Sequence, residues 1–432
     1  MTSARNTRYA DLDSTLQKSY RRLACSPGPY ISTGAAAAIL QVNPKQTEAA
    51  LTALRRAHMV DHHGEDRWSL PAPEHARQMA DEADTPADRE ATTARAIMHY
   101  LRWTASLEML TAPTRRRYAA VFAWTPALPP AVESEQEALT ALSAWVDIAV
   151  AAQAAATAQA LHHLAWQFAD TLWGYLIRAQ DHATAHHVIQ VALDSAGLAG
   201  DCGALARIHS LAGALARRAG RHDEARDHHD NTAHLAHQSG DTLLEASAAE
   251  QQGADLIELG QPHQALKVLR HGLALYRAQP EPHERGEMLL RRQLGKALSL
   301  TGHHDQGHQH LAEAAQFFAD AGEPYLSSRI AANLAELAAD QERYADALHH
   351  LDSAIAHCPD TALPHRAYLL YLYATTYLKV DRVEEARTRR DELAQIAAAV
   401  PRDHAAHRLL RELEDELLER QQSRAADAQP SP

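Results

Sequence analysis

The residues of this 432-residue chain that could do chemistry are its 29 histidines and a set of cations, amides and phenols spaced along what read as helices. Two histidines chelate one ion from a helix only when they lie about four residues apart, because adjacent side chains diverge by roughly 100°. His182 with His186 and His304 with His308 meet that spacing, but neither pair has a third ligand in sequence. No metal and no cofactor is therefore expected. Protonation of histidines near pH 6 would offset acidic charge elsewhere, so any binding could vary with pH. The chain has no Gly-x-Ser-x-Gly elbow, no His-Glu-x-x-His, no Cys-x-x-Cys and no Gly-x-x-x-x-Gly-Lys-Ser/Thr loop. No residue is assigned a catalytic role, since these arrangements are what would activate a nucleophile, a water or a phosphate.

Binding residues are easier to name. Arg292 and Lys296 lie one helical turn apart, and Arg329 with Asn333 repeats that spacing in the next segment. Projected onto one groove-facing side with Asn333, the three cations could converge on carboxylates of a bound peptide, with Tyr368 and Tyr371 as aromatic anchors. Glu250 and Glu336 fall on the same face, so salt bridging within the chain is the competing reading. Arg115, Arg116 and Arg117 form a run in a proline-containing stretch, where they could grip an anionic partner.

These residues are positioned by a repeat. A buried-type small residue after a turn recurs at Ala225, Ala265, Gly307 and Ala347, in steps of 40, 42 and 40. Twelve residues before each lies another small residue, Gly213, Gly253, Gly295 or Ala335, and five before each lies Gly220, Gly260, Gly302 or Glu342. Two small residues at fixed phase imply two helices packing closely in every unit. Degenerate units fit at Trp173 with Ala185 and at Ala374 with Ala386, which makes six helical pairs. A tetratricopeptide unit is about 34 residues long, so the longer step implies longer helices or connections. The pairs should stack into a right-handed α-solenoid whose groove is lined by the first helix of each pair.

Composition agrees with an all-α chain: 46% of residues are hydrophobic and only four are phenylalanine. The net charge of −13 is uneven, because residues 1–80 hold ten Lys+Arg against seven Asp+Glu, a net of +3. Three cysteines far apart in sequence suggest a reducing, cytoplasmic setting rather than a disulfide framework. The alanine-rich run at 149–160 is broken by polar residues and reads as a packed helix, so no membrane partner is expected.

At the amino end, apolar spacing predicts a helix over 12–24, a second begun by Ser32 or Thr33, and a third begun by Asn43-Pro44. A hairpin around Gly64 follows, with Trp68 in its second strand. Three helices and a hairpin are a winged-helix pattern, with Lys45, Gln46, Thr52, Arg55, Arg56 and Arg67 as the side chains that would face DNA. The Pro27-Gly28-Pro29 turn, the alanine-rich second helix, "LTALRRAHMVD" and "DRWSL" carry a resemblance. The chain resembles the winged-helix and tetratricopeptide portion of the signal-transduction ATPases with numerous domains, in their actinobacterial branch of antibiotic-pathway regulators. The resemblance implies a regulator whose nucleotide module is missing, and whose winged helix need not touch DNA. It also implies no nucleotide switch, because Pro71-Ala72 stands where the family has a His-Asp pair.

The expected organisation is a winged-helix domain over 1–80 and a linker helix with a proline-containing loop over 81–133. Helical repeats follow over 134–400, then a capping helix over 401–422 and a disordered tail over 423–432. The expected function is a non-enzymatic protein- or peptide-binding scaffold, a regulatory adaptor in a biosynthetic pathway. The alternative is a DNA-binding regulator with the solenoid as sensor or homodimerisation module.

Overall fold

The computed structural model describes residues 2–64, 66–113, 115–124, 132–178, 181–360, 362–400 and 405–427. Contacts divide the chain into two compact units, Met1–Leu244 and Glu245–Pro432, each built almost wholly of helices.

The first unit begins with α1 (Thr2–Ala10), α2 (Ser14–Leu23), α3 (Thr33–Leu40) and α4 (Pro44–Arg56). Their starts follow the polar side chains that can satisfy free amides. Asp13 accepts from the amides of Thr15 and Leu16, Ser32 from Ala35, and Asn43 with Gln46 forms a reciprocal capping box. Strands β1 (Asp61–His62) and β2 (Trp68–Ser69) pair antiparallel, and Ile31 bridges to Trp68. Tyr20, Leu23, Ile39, Leu51, Leu54 and Met59 are fully buried between these helices. After α5 (Pro73–Ala83) comes the 26-residue α6 (Pro86–Thr111), started by the Thr85 hydroxyl. It packs on α3 and on α7 (Glu135–Ala158) and buries Ile97, Tyr100, Leu101 and Leu107, so it is a core element rather than a spacer. By length and composition α7 could cross a membrane, with mean hydropathy 1.4 in its most apolar window. Here one face of it, from Ala138 through Leu142 and Ala149 to Ala156, is buried against other helices.

The arginine run is not an open grip. Asp170 is fully buried and accepts from Arg115 Nη1 at 2.7 Å, Arg207 Nε at 3.0 Å and the amides of Tyr118 and Ala119. Arg115 also pairs at 3.0 Å with Glu108, whose carboxylate takes the Gly174 amide at 2.7 Å. Arg116 forms a bidentate pair with Asp241 at 2.9 and 3.1 Å, and Arg117 lies over Phe122. A buried carboxylate demands such partners, which is why the run turns inward. Residues 125–131 of that proline-containing stretch lie outside the described residues.

The same cluster coincides with a departure from the repeat. The first helix expected around Trp173 is split into α8 (His162–Ala165), α9 (Gln167–Thr171) and α10 (Trp173–Leu176), and the break before α10 falls where the Gly174 amide turns to Glu108. Regular pairing starts with α11 (His182–Leu198), α12 (Cys202–Arg218) and α13 (His222–Ser239).

The second unit takes α14 (Thr242–Glu258) from Glu245 on, then α15 (Pro262–Arg277), α16 (Glu284–Leu300), α17 (His304–Asp320), α18 (Pro324–Asp340), α19 (Tyr344–Ala356), α20 (Leu363–Lys379), α21 (Val383–Ala398) and α22 (Ala405–Asp427). Within a pair, the first helix ends in a left-handed residue whose successor donates back across the last turn. Gly302 has φ 82° there and the His303 amide bonds Leu298 O at 2.9 Å; Glu342, without glycine's freedom, adopts φ 60° in the same role. The chain then reverses at once, so the helices of a pair lie antiparallel and touch along their length.

Where they cross, side chains are nearly absent. A Cβ on Gly295 would come within 2.9 Å of Gly307 O, and one on Gly253 within 2.3 Å of Leu269 Cδ2. Ala265, Ala347 and Ala386, the matching residues of the other pairs, are completely buried. The second unit is therefore a stack of helical pairs. Its last helix buries Leu409 and Leu413 but leaves Leu418 exposed, and it continues through 423–427, where a tail was expected. Residues 401–404 and 428–432 lie outside the described residues.

Two stability measurements follow. Gly295→Ala should lower stability by ~1–3 kcal/mol, because the backbone opposite cannot give way. Gly197→Ala, with nothing within 4 Å of the new methyl group, should be neutral or slightly stabilising; urea midpoints of the two variants read the contrast directly. Arg115→Ala should cost ~3–5 kcal/mol by leaving Glu108 and Asp170 short of a cation, and a shift in urea midpoint below about 1 kcal/mol would refute that role.

Candidate functional site: a polar groove on three first helices

Helices α16, α18 and α20 are the first members of three successive pairs, and each packs beside the next. A cavity of about 420 Å³ opens across them. Its walls include Lys296, Ser299 and Leu300 from α16, Asn333, Glu336, Leu337 and Asp340 from α18, and Leu372, Thr375, Thr376 and Lys379 from α20. Contact between first helices of neighbouring repeats is what brings residues about 40 positions apart to one surface.

Glu336 is the hub. Its carboxylate accepts from Asn333 Nδ2 at 2.9 Å and from the Tyr368 hydroxyl, and Lys296 Nζ stands 3.8 Å away. Burial, and then Glu336 itself, push the Tyr368 phenol well above its usual range, so its proton stays available for donation. Burial and the neighbouring Glu336 also raise the Asp340 carboxyl, one turn further along α18. Tyr371 is half-buried, and its phenol is raised first by burial and then by Glu412 and Glu416.

Three of the six expected groove residues thus converge on one carboxylate, and the others are placed differently. Arg292 is buried, its Nη2 3.7 Å from Glu250 Oε1, and Gln293 donates to the same oxygen at 2.8 Å. Its charge is met inside the chain. Arg329 lies with Cζ 5.9 Å from the Tyr325 ring centre, near His365. Sequence reading gave Glu336 only the part of a counter-ion and passed over Asp340 and Lys379. The four-residue step from Glu336 to Asp340 was the signal available, since it sets both on one face of α18.

Behind the groove, Ser328 Oγ donates to Ala354 O at 2.6 Å, so His365 Nε2, at 3.0 Å, must carry the proton and donate to that hydroxyl. Burial drives the His365 imidazole down to about 4, with Arg329 adding to the effect. A second cavity, of about 310 Å³ in the first unit, is lined in part by His182, His186, His228 and Arg218. Among the described residues no group of three or more His, Cys, Asp or Glu could hold a metal ion.

The residues expected to face DNA divide. Lys45, Gln46, Thr52, Arg55 and Arg56 are exposed on α4, though Gln46 is engaged in the helix cap and Glu48 is exposed among them. Arg67 is not presented outward: its Nη2 donates to Ala144 O at 2.7 Å, and its guanidinium lies 5.5 Å from the Trp145 ring centre. The hairpin cation is spent on α7, because a guanidinium stacked on indole and bonded to a helix carbonyl exceeds what solvent offers it.

No protein-family model and no curated protein matches this chain. Among solved structures it is similar to a Pyrococcus horikoshii signal-transduction ATPase with numerous domains that carries a tetratricopeptide repeat sensor, at 14% identity and TM-score 0.42. That match covers 94% of this chain but only 60% of the other. A Rap protein complexed with competence and sporulation factor matches at 11% identity and TM-score 0.43, over 95% and 99% of the two chains. Aspartyl phosphate phosphatase F from Bacillus subtilis matches at 12% identity and TM-score 0.37, over 75% and 87%. The assignment to stacked helical pairs rests on the packing of the chain itself.

The His365 environment makes a pH prediction. Its folded pKa lies below its ordinary value of 6.5, so the unfolded chain binds the proton more readily. Its contribution is complete above about pH 6.5 and is lost as pH falls towards 4, by up to ~3 kcal/mol. Urea midpoints at pH 7.5 and 4.5 should show a smaller acid loss in His365→Gln than in the parent; an equal loss would refute the assignment.

Proposed function

We propose that the protein is a non-enzymatic, tetratricopeptide-like scaffold that holds an extended segment of a partner protein in the groove formed by α16, α18 and α20. The observation that carries this reading is the cavity itself. It spans three successive first helices and offers ammonium, carboxylate, amide and hydroxyl groups beside the apolar side chains of Leu300, Leu337 and Leu372. A mixed, elongated surface of this kind suits a peptide backbone with alternating side chains. It does not suit chemistry that needs water excluded.

We read α2 to α4 with the β1–β2 hairpin as a winged helix serving as a second contact surface. DNA binding is not advanced as a second reading, because Arg67 is held against α7 and Glu48 interrupts the basic face of α4. The resemblance to antibiotic-pathway regulators supports a regulatory role in a biosynthetic pathway, and the solenoid could also serve for homodimerisation. Three unpaired cysteines support a reducing, cytoplasmic setting.

Site-specific photocrosslinking tests the groove. A benzophenone amino acid placed at Ser299 or Thr375 should crosslink a discrete partner in cells of the source organism, and one placed at Gln309 on α17 should not. Equal labelling from all three positions, or none, would set the reading aside.

A further inference from the structure

The groove has a polarity that differs from its first appearance. Arg292 is matched by Glu250, and Lys296 stands beside Glu336, so two cations that could receive a carboxylate are already met within the chain. What the groove leaves open on α18 is an acceptor, Asp340. Asn333 donates through Nδ2 to Glu336, and because a carboxylate can only accept, the amide orientation follows from that bond. Asn333 Oδ1 is then left buried, with no donor among the described residues. Asp340 follows Glu336 by one turn and lines the same cavity, with no side-chain hydrogen bond or ion pair among the described residues. Leu300, half-exposed, and Leu372 line the same cavity and offer apolar surface to the stem of a basic side chain. The wider field has the same sign: residues 245–432 hold 20 Lys+Arg against 29 Asp+Glu, a net of −9. A field of that sign draws a cationic partner to a low-dielectric cleft.

We propose that the segment held in this groove is basic, and that one of its lysine or arginine side chains lies along Leu300 and Leu372 with its charged head between Asp340 and Glu336. This rests on the peptide-binding reading above and adds the partner's chemistry to it. The charge of that head relieves the repulsion between two carboxylates one turn apart. Lys379, on the far side of the cavity, is the group that an acidic segment would use instead.

The test uses the full chain and an array of immobilised nine-residue peptides of random sequence. Bound peptides should be enriched in Lys and Arg over Asp and Glu. One selected peptide, fluorescein-labelled, is then titrated by anisotropy into the parent, Asp340→Asn, Asp340→Lys and Lys379→Glu. Asp340 is exposed, so its variants should keep the parent's urea midpoint, and Asp340→Asn serves as the conservative check. Affinity should fall roughly tenfold or more in Asp340→Lys, less in Asp340→Asn, and hold or rise in Lys379→Glu. Selection of acidic peptides whose binding is lost in Lys379→Glu would overturn the basic assignment and leave the groove reading standing. Selected peptides indifferent to all three substitutions, or no selection at all, would overturn both.

Discussion

The second unit depends on how near the two helices of a pair can come. At Gly295 and Gly307 the backbones approach so closely that a single methyl group would meet a carbonyl oxygen at 2.9 Å. Dispersion forces fall steeply with distance, so a pair held apart by even one methylene would lose contact along its whole length. Ala347 and Ala386 serve the same purpose in later pairs, and Leu269 fills the space left by Gly253. Because second helices dock at this spacing, first helices of neighbouring pairs are left side by side, and the groove is their common surface.

Charge is handled in two ways in the two units. In the first unit, Glu108 and Asp170 are removed from water entirely, and their donors come from α6, the arginine run and the two residues after it, α10 and α12. Such a cluster contributes little net stability, but removing one member is costly, which fixes the arrangement of the segments that supply it. In the second unit the ions at the groove stay half in water. Glu336 can exchange its internal partners for external ones at modest cost, and this separates a surface that can bind from a core that cannot.

The distinction also bears on what a run of arginines means. Arg115 to Arg117 look like a surface grip because only one of their carboxylate partners, Glu108 on the preceding helix, lies near them in sequence. The others, Asp170 and Asp241, lie 55 and 125 residues away. Arg67 is a similar case, since its partner on α7 is 77 residues distant. Cations are the residues whose role local reading misjudges most readily, because their long stems reach partners that no short window contains.

Much of the fold was legible before any coordinates. Repeating small residues at two phases announced the helical pairs, and Ser32 or Thr33 and then Asn43 marked helix starts that are observed, since a cap needs only neighbours three residues away. Of the groove, Lys296, Asn333 and Tyr368 were named from spacing alone, and they do meet on one carboxylate. Periodicity decides which face of a helix a residue occupies, and that much is local. It does not decide which charge on that face is already met: Arg292 was assigned to a ligand and is matched by Glu250, while Asp340 was passed over and is left open. Those outcomes depend on distances between helices about 40 residues apart, set by side-chain packing at the crossings, and no local pattern carries them.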